Sequence, residues 1–245
     1  MFETRRRLPT IRAVGEVLSA SAVTAHMQRI VLGGEALGPL LGMEGIDVPA
    51  AWVKVFTEAG DGRAYTVRAL DRQAKTLTLD FVLHGGHGAS GPVSAWAAGA
   101  RAGELVHLAG PRDGGYRCPA DAGWMLLAGD ATALPAIQSI ARNLPDGVTA
   151  DAYIEVPTPQ DIQPDLADCR GVRVQWLPAG HAGSTLPAAL ASWRRPQGAG
   201  YFWAAGESSA MRHLSLQLPA LGIERQRADI KGYWKMGQAD HRDRG

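Results

Sequence analysis

Apolar and polar positions along this chain change their rhythm near residue 120. Before that point, short stretches alternate apolar with polar residues and are cut by glycine-rich segments. Alternation at a period of two predicts strands over 10–19, 24–33, 50–58, 62–71, 75–84 and 104–109. One short helix, 92–100 (PVSAWAAGA), interrupts them. That series of short strands predicts a small closed antiparallel barrel. Residues 123–129 (GWMLLAG) instead form an unbroken apolar run, as a strand buried on both faces requires. Leu134, Ile137 and Ile140 then recur at helical spacing within 131–143. Strands over 148–156, 171–177, 200–205 and 227–232 alternate with helices over 184–193 and 207–221, which predicts a parallel α/β sheet.

The expected fold class is therefore two-domain, an N-terminal antiparallel β-barrel followed by a C-terminal α/β domain with a parallel sheet. The joint is PRDGGYRCPADA, 111–122, rich in glycine, proline and charge, and the domains are placed at 1–118 and 119–245. No solenoid-type repeat appears, and the tail QADHRDRG after Gly237 is expected to fray.

Composition narrows the partners. The 245 residues, 46% apolar and 20% charged, can bury a sizeable core. A net charge of +1 supplies no general attraction to nucleic acid or an anionic membrane, so neither is expected as a partner. No apolar stretch is long enough to span a bilayer. Arg5-Arg6-Arg7 lacks the apolar run that a twin-arginine export signal needs behind it, and is taken as a solvated basic terminus. The two cysteines, Cys118 and Cys169, cannot ligate an iron–sulfur cluster, which needs four. His84 and His87 stand in a glycine-rich turn that does not hold metal geometry, so no metal site is expected. A reducing cytoplasm is the expected compartment, and a monomer the expected state.

Several stretches carry candidate chemistry. GHGASG, 86–91, matches the G-x-G-x-x-G dinucleotide pattern, but the surrounding strands read as antiparallel and no βαβ unit encloses it. What remains is Gly91-Pro92-Val93-Ser94 at a helix start, where free N–H groups and the helix dipole favour an anion, or an ordinary loop and cap. On the strand GRAYTVRAL, 62–70, Arg63 suits a phosphate, Tyr65 a planar ring and Thr66 the edge of that ring. A solvent-facing strand explains the same residues equally well. Arg68 fits either that site or a salt bridge on the strand.

In the second half, LLAGDATALPAI (126–137) and FWAAGESSAMRH (202–213) both run from an apolar strand through Gly and an acid into a helix. Such carboxyl edges bind ligands in open α/β sheets, although Asp130 or Thr132 also suits a capping role. Tyr233 and Trp234, in IKGYWKMG, suit core, a lid over a ring or a dimer contact.

In this order the motifs AHMQRIVLGGEAL, AWVKVF, RAYTVR, DFVLHG, GPVSAWA, LAGDATALPAI, AAGE and GYWK resemble the siderophore-interacting protein family. These are FAD-dependent ferric-siderophore reductases of the ferredoxin-reductase-like superfamily. The resemblance implies a barrel that binds FAD and an α/β domain that binds NADPH or NADH. Arg63 would meet the FAD pyrophosphate, Tyr65 the isoalloxazine, and Thr66 the region of flavin N5, with Ala64 among the cofactor-binding residues. Val82, Leu83 and His84 would run beside the cofactor. Gly91, Pro92, Val93 and Ser94 would hold its phosphates, and Trp96 would support the adenine side. Asp130, Thr132, Ala133, Gly206 and Glu207 would line the nicotinamide cleft, with Thr132 and Trp234 also near the flavin. No catalytic side chain is implied, because the flavin carries the electrons.

A ferric siderophore is the implied substrate, and reduction to Fe²⁺ would release the iron. Lys54, Lys231 and Lys235 are candidates for docking an anionic chelate. The sequence departs from relatives at Ala131, where another acid is common, and in a longer loop between His84 and Gly91. Arg170 and Arg173 are candidates for a 2′-phosphate. Rival readings keep FAD and NAD(P)H with another acceptor (a quinone, a free flavin or a protein), or make the chain a non-catalytic flavin- or siderophore-binding protein.

Overall fold

The structure is a computed structural model describing residues 10–83, 91–179 and 183–237. Arg5-Arg6-Arg7, His84, His87, most of GHGASG and the tail after Gly237 lie outside the described residues. The chain divides into two compact units, one of Met1–Val23 with Gln28–Gly114 and one of Thr24–Met27 with Gly115–Gly245.

Unit 1 is built on a closed six-stranded barrel with strand order β1-β2-β5-β4-β3-β6. The strands are β1 (Ile11–Thr24), β2 (Met27–Gly33), β3 (Trp52–Phe56), β4 (Gly62–Asp71), β5 (Thr76–Val82) and β6 (Leu105–Arg112). Closure removes the exposed edges that an open antiparallel sheet would leave. Alternation along β3 shows how the sequence makes this wall. Val53 and Val55 are fully buried in the core with Leu77, Leu79 and Phe81, while Trp52, Lys54 and Phe56 take the other face. Helix α2 (Pro92–Gly99) packs Val93 and Ala97 onto the same core. The segment after β2 was not expected from the sequence to be helical. Residues Glu35–Leu37 make a 3-10 turn that leads into α1 (Gly38–Leu41), and Leu37, Leu40 and Leu41 are buried.

Unit 2 holds a parallel five-stranded sheet in the order β11-β10-β7-β8-β9. Its strands are β7 (Trp124–Gly129), β8 (Thr149–Val156), β9 (Val172–Pro178), β10 (Gly200–Glu207) and β11 (Ala228–Trp234). The helices are α3 (Leu134–Arg142), α4 (Leu186–Ala191) and α5 (Ser208–Gln217). Every residue of β7 is buried, as its unbroken apolar run predicts for a central strand. From β7 the chain first adds β8 and β9 on one side, then returns to add β10 and β11 on the other. The order therefore reverses between β7 and β10, the switch point at whose carboxyl end open α/β sheets form a ligand crevice.

Helix α3 starts at Leu134, three residues later than the helical spacing alone suggests. The delay has a local cause. The Asp130 carboxylate accepts from the Thr132 amide and hydroxyl, and the Ala133 amide bonds the Asp130 carbonyl, so 130–133 form a turn first.

Candidate functional site

In unit 1 the site residues gather where β4, β5 and α2 meet. Tyr65 lies opposite Val53 and Arg63 opposite Val55, so both occupy the face of β4 that looks to the barrel interior. Tyr65 packs its ring on Phe81 with centroids 4.2 Å apart, and Phe81 meets Trp96 edge-on at 5.8 Å. Burial pushes the Tyr65 phenol above its ordinary range, against a smaller downward pull from Arg63, so the phenol is neutral. The Arg63 guanidinium bonds the Gly62 carbonyl at 2.9 Å while remaining half-buried.

Thr66 and Ala64 belong to the opposite face, facing Trp52 and Lys54. Thr66 is only 6% exposed. The simple alternation of wet and dry faces expected for GRAYTVRAL is therefore not what β4 does. Its register with β5 shifts between Val67 and Ala69, and both Val67 and Arg68 are buried. Arg68 faces Asp80 at 3.5 Å, and Asp80 also receives a bidentate bond from Arg29 at 2.7 and 2.8 Å. Arg68 thus belongs to an ion network on the barrel.

At the start of α2, Gly91 precedes Pro92, and among the described residues no side chain caps the helix. Ala95 is bonded back to Gly91 O at 3.0 Å, which leaves the Val93 and Ser94 amides ahead of it. Among the described residues nothing lies within 4 Å of where a Gly91 Cβ would stand, so those residues leave room for an anionic group. The Ser94 hydroxyl is used otherwise, donating to Val82 O at 2.9 Å and pinning α2 to the end of β5. A phosphate would therefore draw on the Ser94 amide. Uncapped amides, a half-buried guanidinium and an aromatic stack, all in one unit, fit a cofactor with both pyrophosphate and a ring.

In unit 2 the crevice residues converge on one carboxylate. Asp130 Oδ1 accepts from Thr132 N and Oγ1 at 2.9 and 2.5 Å. Its Oδ2 accepts from Glu207 N at 3.0 Å and from Trp234 Nε1 at 2.7 Å. One side chain thus ties the ends of β7, β10 and β11 together. The approach is close enough to demand glycine at two positions. A Cβ on Gly206 would stand 2.7 Å from Asp130 Oδ2, and one on Gly129 would stand 2.6 Å from Ala205 O. Ala133 is fully buried in the turn below. Glu207 caps α5, accepting from the Ser209 and Ala210 amides. These contacts make Asp130 and Glu207 the frame of the crevice rather than free groups within it.

The remaining candidates disperse. Lys231 sets its ammonium against Gly115, and Lys235 is exposed just beyond β11. Tyr233 meets Trp203 edge-on at 6.4 Å. Arg173 bonds Asp151 at 2.8 Å and stands near the amino end of β9, the opposite edge of the sheet from the crevice. Arg170 precedes that strand. Neither arginine is where a 2′-phosphate at the carboxyl edge would lie. Sequence reading missed Phe81, the floor beneath Tyr65, and the Arg29–Asp80 pair; only the strand pairing of the barrel reveals them.

Among the described residues no helix is long and apolar enough to cross a membrane. Residues 51–115 match the siderophore-interacting FAD-binding domain, and residues 122–237 match the siderophore-interacting protein family. The chain is 32% identical to the ferric vibriobactin reductase of Vibrio cholerae over 74% of this chain and 68% of that one. It is 29% identical to the NADPH-dependent ferric-chelate reductase of Escherichia coli, over 89% of this chain and 91% of that one. A siderophore utilization protein from T. fusca, 29% identical, superposes with a TM-score of 0.82 over 97% of each chain. The two matches follow one another along the chain as the barrel and the parallel sheet do, and the chain belongs to the siderophore-interacting protein family, with FAD as the cofactor of its barrel.

Proposed function

We propose that this protein is a flavoprotein reductase that passes electrons from NAD(P)H through FAD to siderophore-bound ferric iron in the cytoplasm. The observation that carries the reading is the unit 1 site. There the start of α2, uncapped by any side chain among the described residues, is pinned to the end of β5, which carries Phe81 of the Tyr65–Phe81 stack. Similarity to two ferric-chelate reductases supports the choice of acceptor.

The chemistry that FAD supplies when bound is two-electron uptake from NAD(P)H and one-electron delivery, which reduces ferric ions singly. The chain's own part is to bind and orient. Arg63 and the Val93 and Ser94 amides hold the pyrophosphate, and Tyr65 offers a ring face backed by Phe81. In unit 2 the crevice framed by Asp130, Thr132, Gly206 and Glu207 receives the dinucleotide. No side chain needs to act as acid, base or nucleophile. Fe³⁺ is held tightly by hard oxygen ligands and Fe²⁺ far more weakly, so reduction releases the metal.

Anaerobic mixing tests this. NADH or NADPH is expected to bleach the oxidised-flavin absorbance, and a ferric chelate to restore it. Absorbance that neither dinucleotide bleaches would sink the reductase reading, and bleaching that no ferric chelate reverses would move the acceptor elsewhere. Arg63→Ala is expected to raise the FAD dissociation constant on the order of 10–100-fold, since a charged bond to phosphate is lost. Equilibrium dialysis checks this, with the circular dichroism of the variant unchanged.

A further inference from the structure

Strand β8 ends on a buried carboxylate that the frame around Asp130 does not use. Glu155 is 8% exposed and stands next to last in the strand. Its Oε1 accepts from the Thr185 amide, from the Thr185 hydroxyl at 2.9 Å and from the Leu186 amide at 3.2 Å. Oε2 accepts from the Ser184 hydroxyl at 3.0 Å. The carboxylate thus closes the start of α4 and uses the donors that would otherwise draw an anion there. Each carboxylate oxygen has two lone pairs, and Oε2 meets one donor among the described residues, so it keeps one acceptor position. Asp130 differs, since each of its oxygens already receives two donors.

Position in the sheet says what that acceptor meets. β7, α3 and β8 form the first strand–helix–strand unit, and β9 lies beyond β8. In dinucleotide-binding sheets an acid past the first strand–helix turn bonds the ribose 2′-OH of NAD, whereas an arginine takes the 2′-phosphate of NADP. This chain has the acid without the cation. Residues 154–169 and 174–193, which carry the ends of β8 and β9 and the segments after them, contain no lysine or arginine. Their one histidine, His181, lies outside the described residues. Arg142 pairs with Asp165 at 3.1 Å, and Arg173 is taken by Asp151 at the other edge of the sheet. A phosphate, which accepts and does not donate when ionised, gains no bond from Glu155 and meets a like charge.

We propose that this protein takes its electrons from NADH rather than NADPH, with Glu155 as the residue that sets the choice. The inference rests on the reductase reading and narrows its electron donor. Glu155 acts on the two dinucleotides in opposite directions. The 2′-OH of NADH donates a charge-assisted bond to Oε2, and the 2′-phosphate of NADPH loses that bond and is repelled. The amides and hydroxyls of 184–186 cannot compensate, because Glu155 already occupies them.

The test uses protein saturated with FAD at about pH 8, where an ordinary imidazole is neutral. By calorimetry, wild type should bind adenosine 5′-monophosphate on the order of tenfold more tightly than adenosine 2′,5′-bisphosphate. In anaerobic flavin bleaching, kcat/KM for NADH should exceed that for NADPH by a similar factor. Glu155→Gln should narrow both gaps by improving the 2′-phosphorylated ligand, whereas a merely structural loss would weaken both ligands alike. Should that variant fail to fold, Ala179→Arg leaves Glu155 in place. Ala179 stands two residues beyond Leu177, which faces Glu155 across the strand pair. It should raise affinity for the bisphosphate on the order of tenfold and leave the monophosphate unchanged. A bisphosphate bound as tightly as the monophosphate by wild type would overturn the proposal. So would no binding of either nucleotide, or a ratio that either folded variant leaves at the wild-type value. Bleaching that favours NADPH overturns this inference alone. Preferred monophosphate binding without bleaching by either dinucleotide overturns the reductase reading alone.

Discussion

Asp80→Ala is expected to destabilise the barrel by about 3–5 kcal/mol, the range for removing one partner of a buried ion pair. Asp80 lies between two guanidinium groups. Arg29 grips it through Nε and Nη2, and Arg68 Nε approaches it at 3.5 Å. The Asp80 side chain is fully buried and that of Arg68 is 4% exposed, so neither charge finds bulk water once its partner is gone. Arg68→Met should cost less, because it takes away a charge and leaves the bidentate Arg29–Asp80 pair intact. Chemical denaturation of the FAD-free protein, followed by circular dichroism, checks the order of the two variants. A cost below about 1 kcal/mol for Asp80→Ala would show that the network contributes no more than a surface pair.

The same network shows where sequence reading stops. β7 and the barrel strands are legible because burial imposes a local rhythm, unbroken on a central parallel strand and alternating on a barrel wall. Asp80, by contrast, is distant in sequence from Arg29, and no local pattern joins them. At Arg68 the rhythm itself misleads, since the register shift between Val67 and Ala69 buries two successive residues. GRAYTVRAL shows the limit from another side. Alternation separates Arg63 and Tyr65 from Ala64 and Thr66, but it does not say which pair faces inward. Val53 and Val55, read across the strand pair, do say so.

Asp130 poses the sharpest choice between frame and ligand, and its variants separate the two. Asp130→Asn keeps the shape of the side chain but supplies one acceptor atom where the site uses two. Thr132 needs an acceptor at Oδ1, while Glu207 N and Trp234 Nε1 need one at Oδ2. Turned towards Glu207 N and Trp234 Nε1, its NH₂ meets two donors; turned towards Thr132, it meets the Thr132 amide while the hydroxyl can rotate to accept. The expected loss is about 2–4 kcal/mol of local stability where β7, β10 and β11 end, from at least one unmet donor and the charge that favoured all four. As a frame, Asp130 should act through the crevice it shapes. The KM for NAD(P)H should then rise on the order of tenfold or more with a smaller change in kcat, and the Glu207 amide should exchange faster with solvent. Trp234→Phe removes one of the four bonds and should show both effects in weaker form. If Asp130 instead bonds the dinucleotide directly, Trp234→Phe would leave KM at the wild-type value, and Glu207 exchange would not follow KM across the variants.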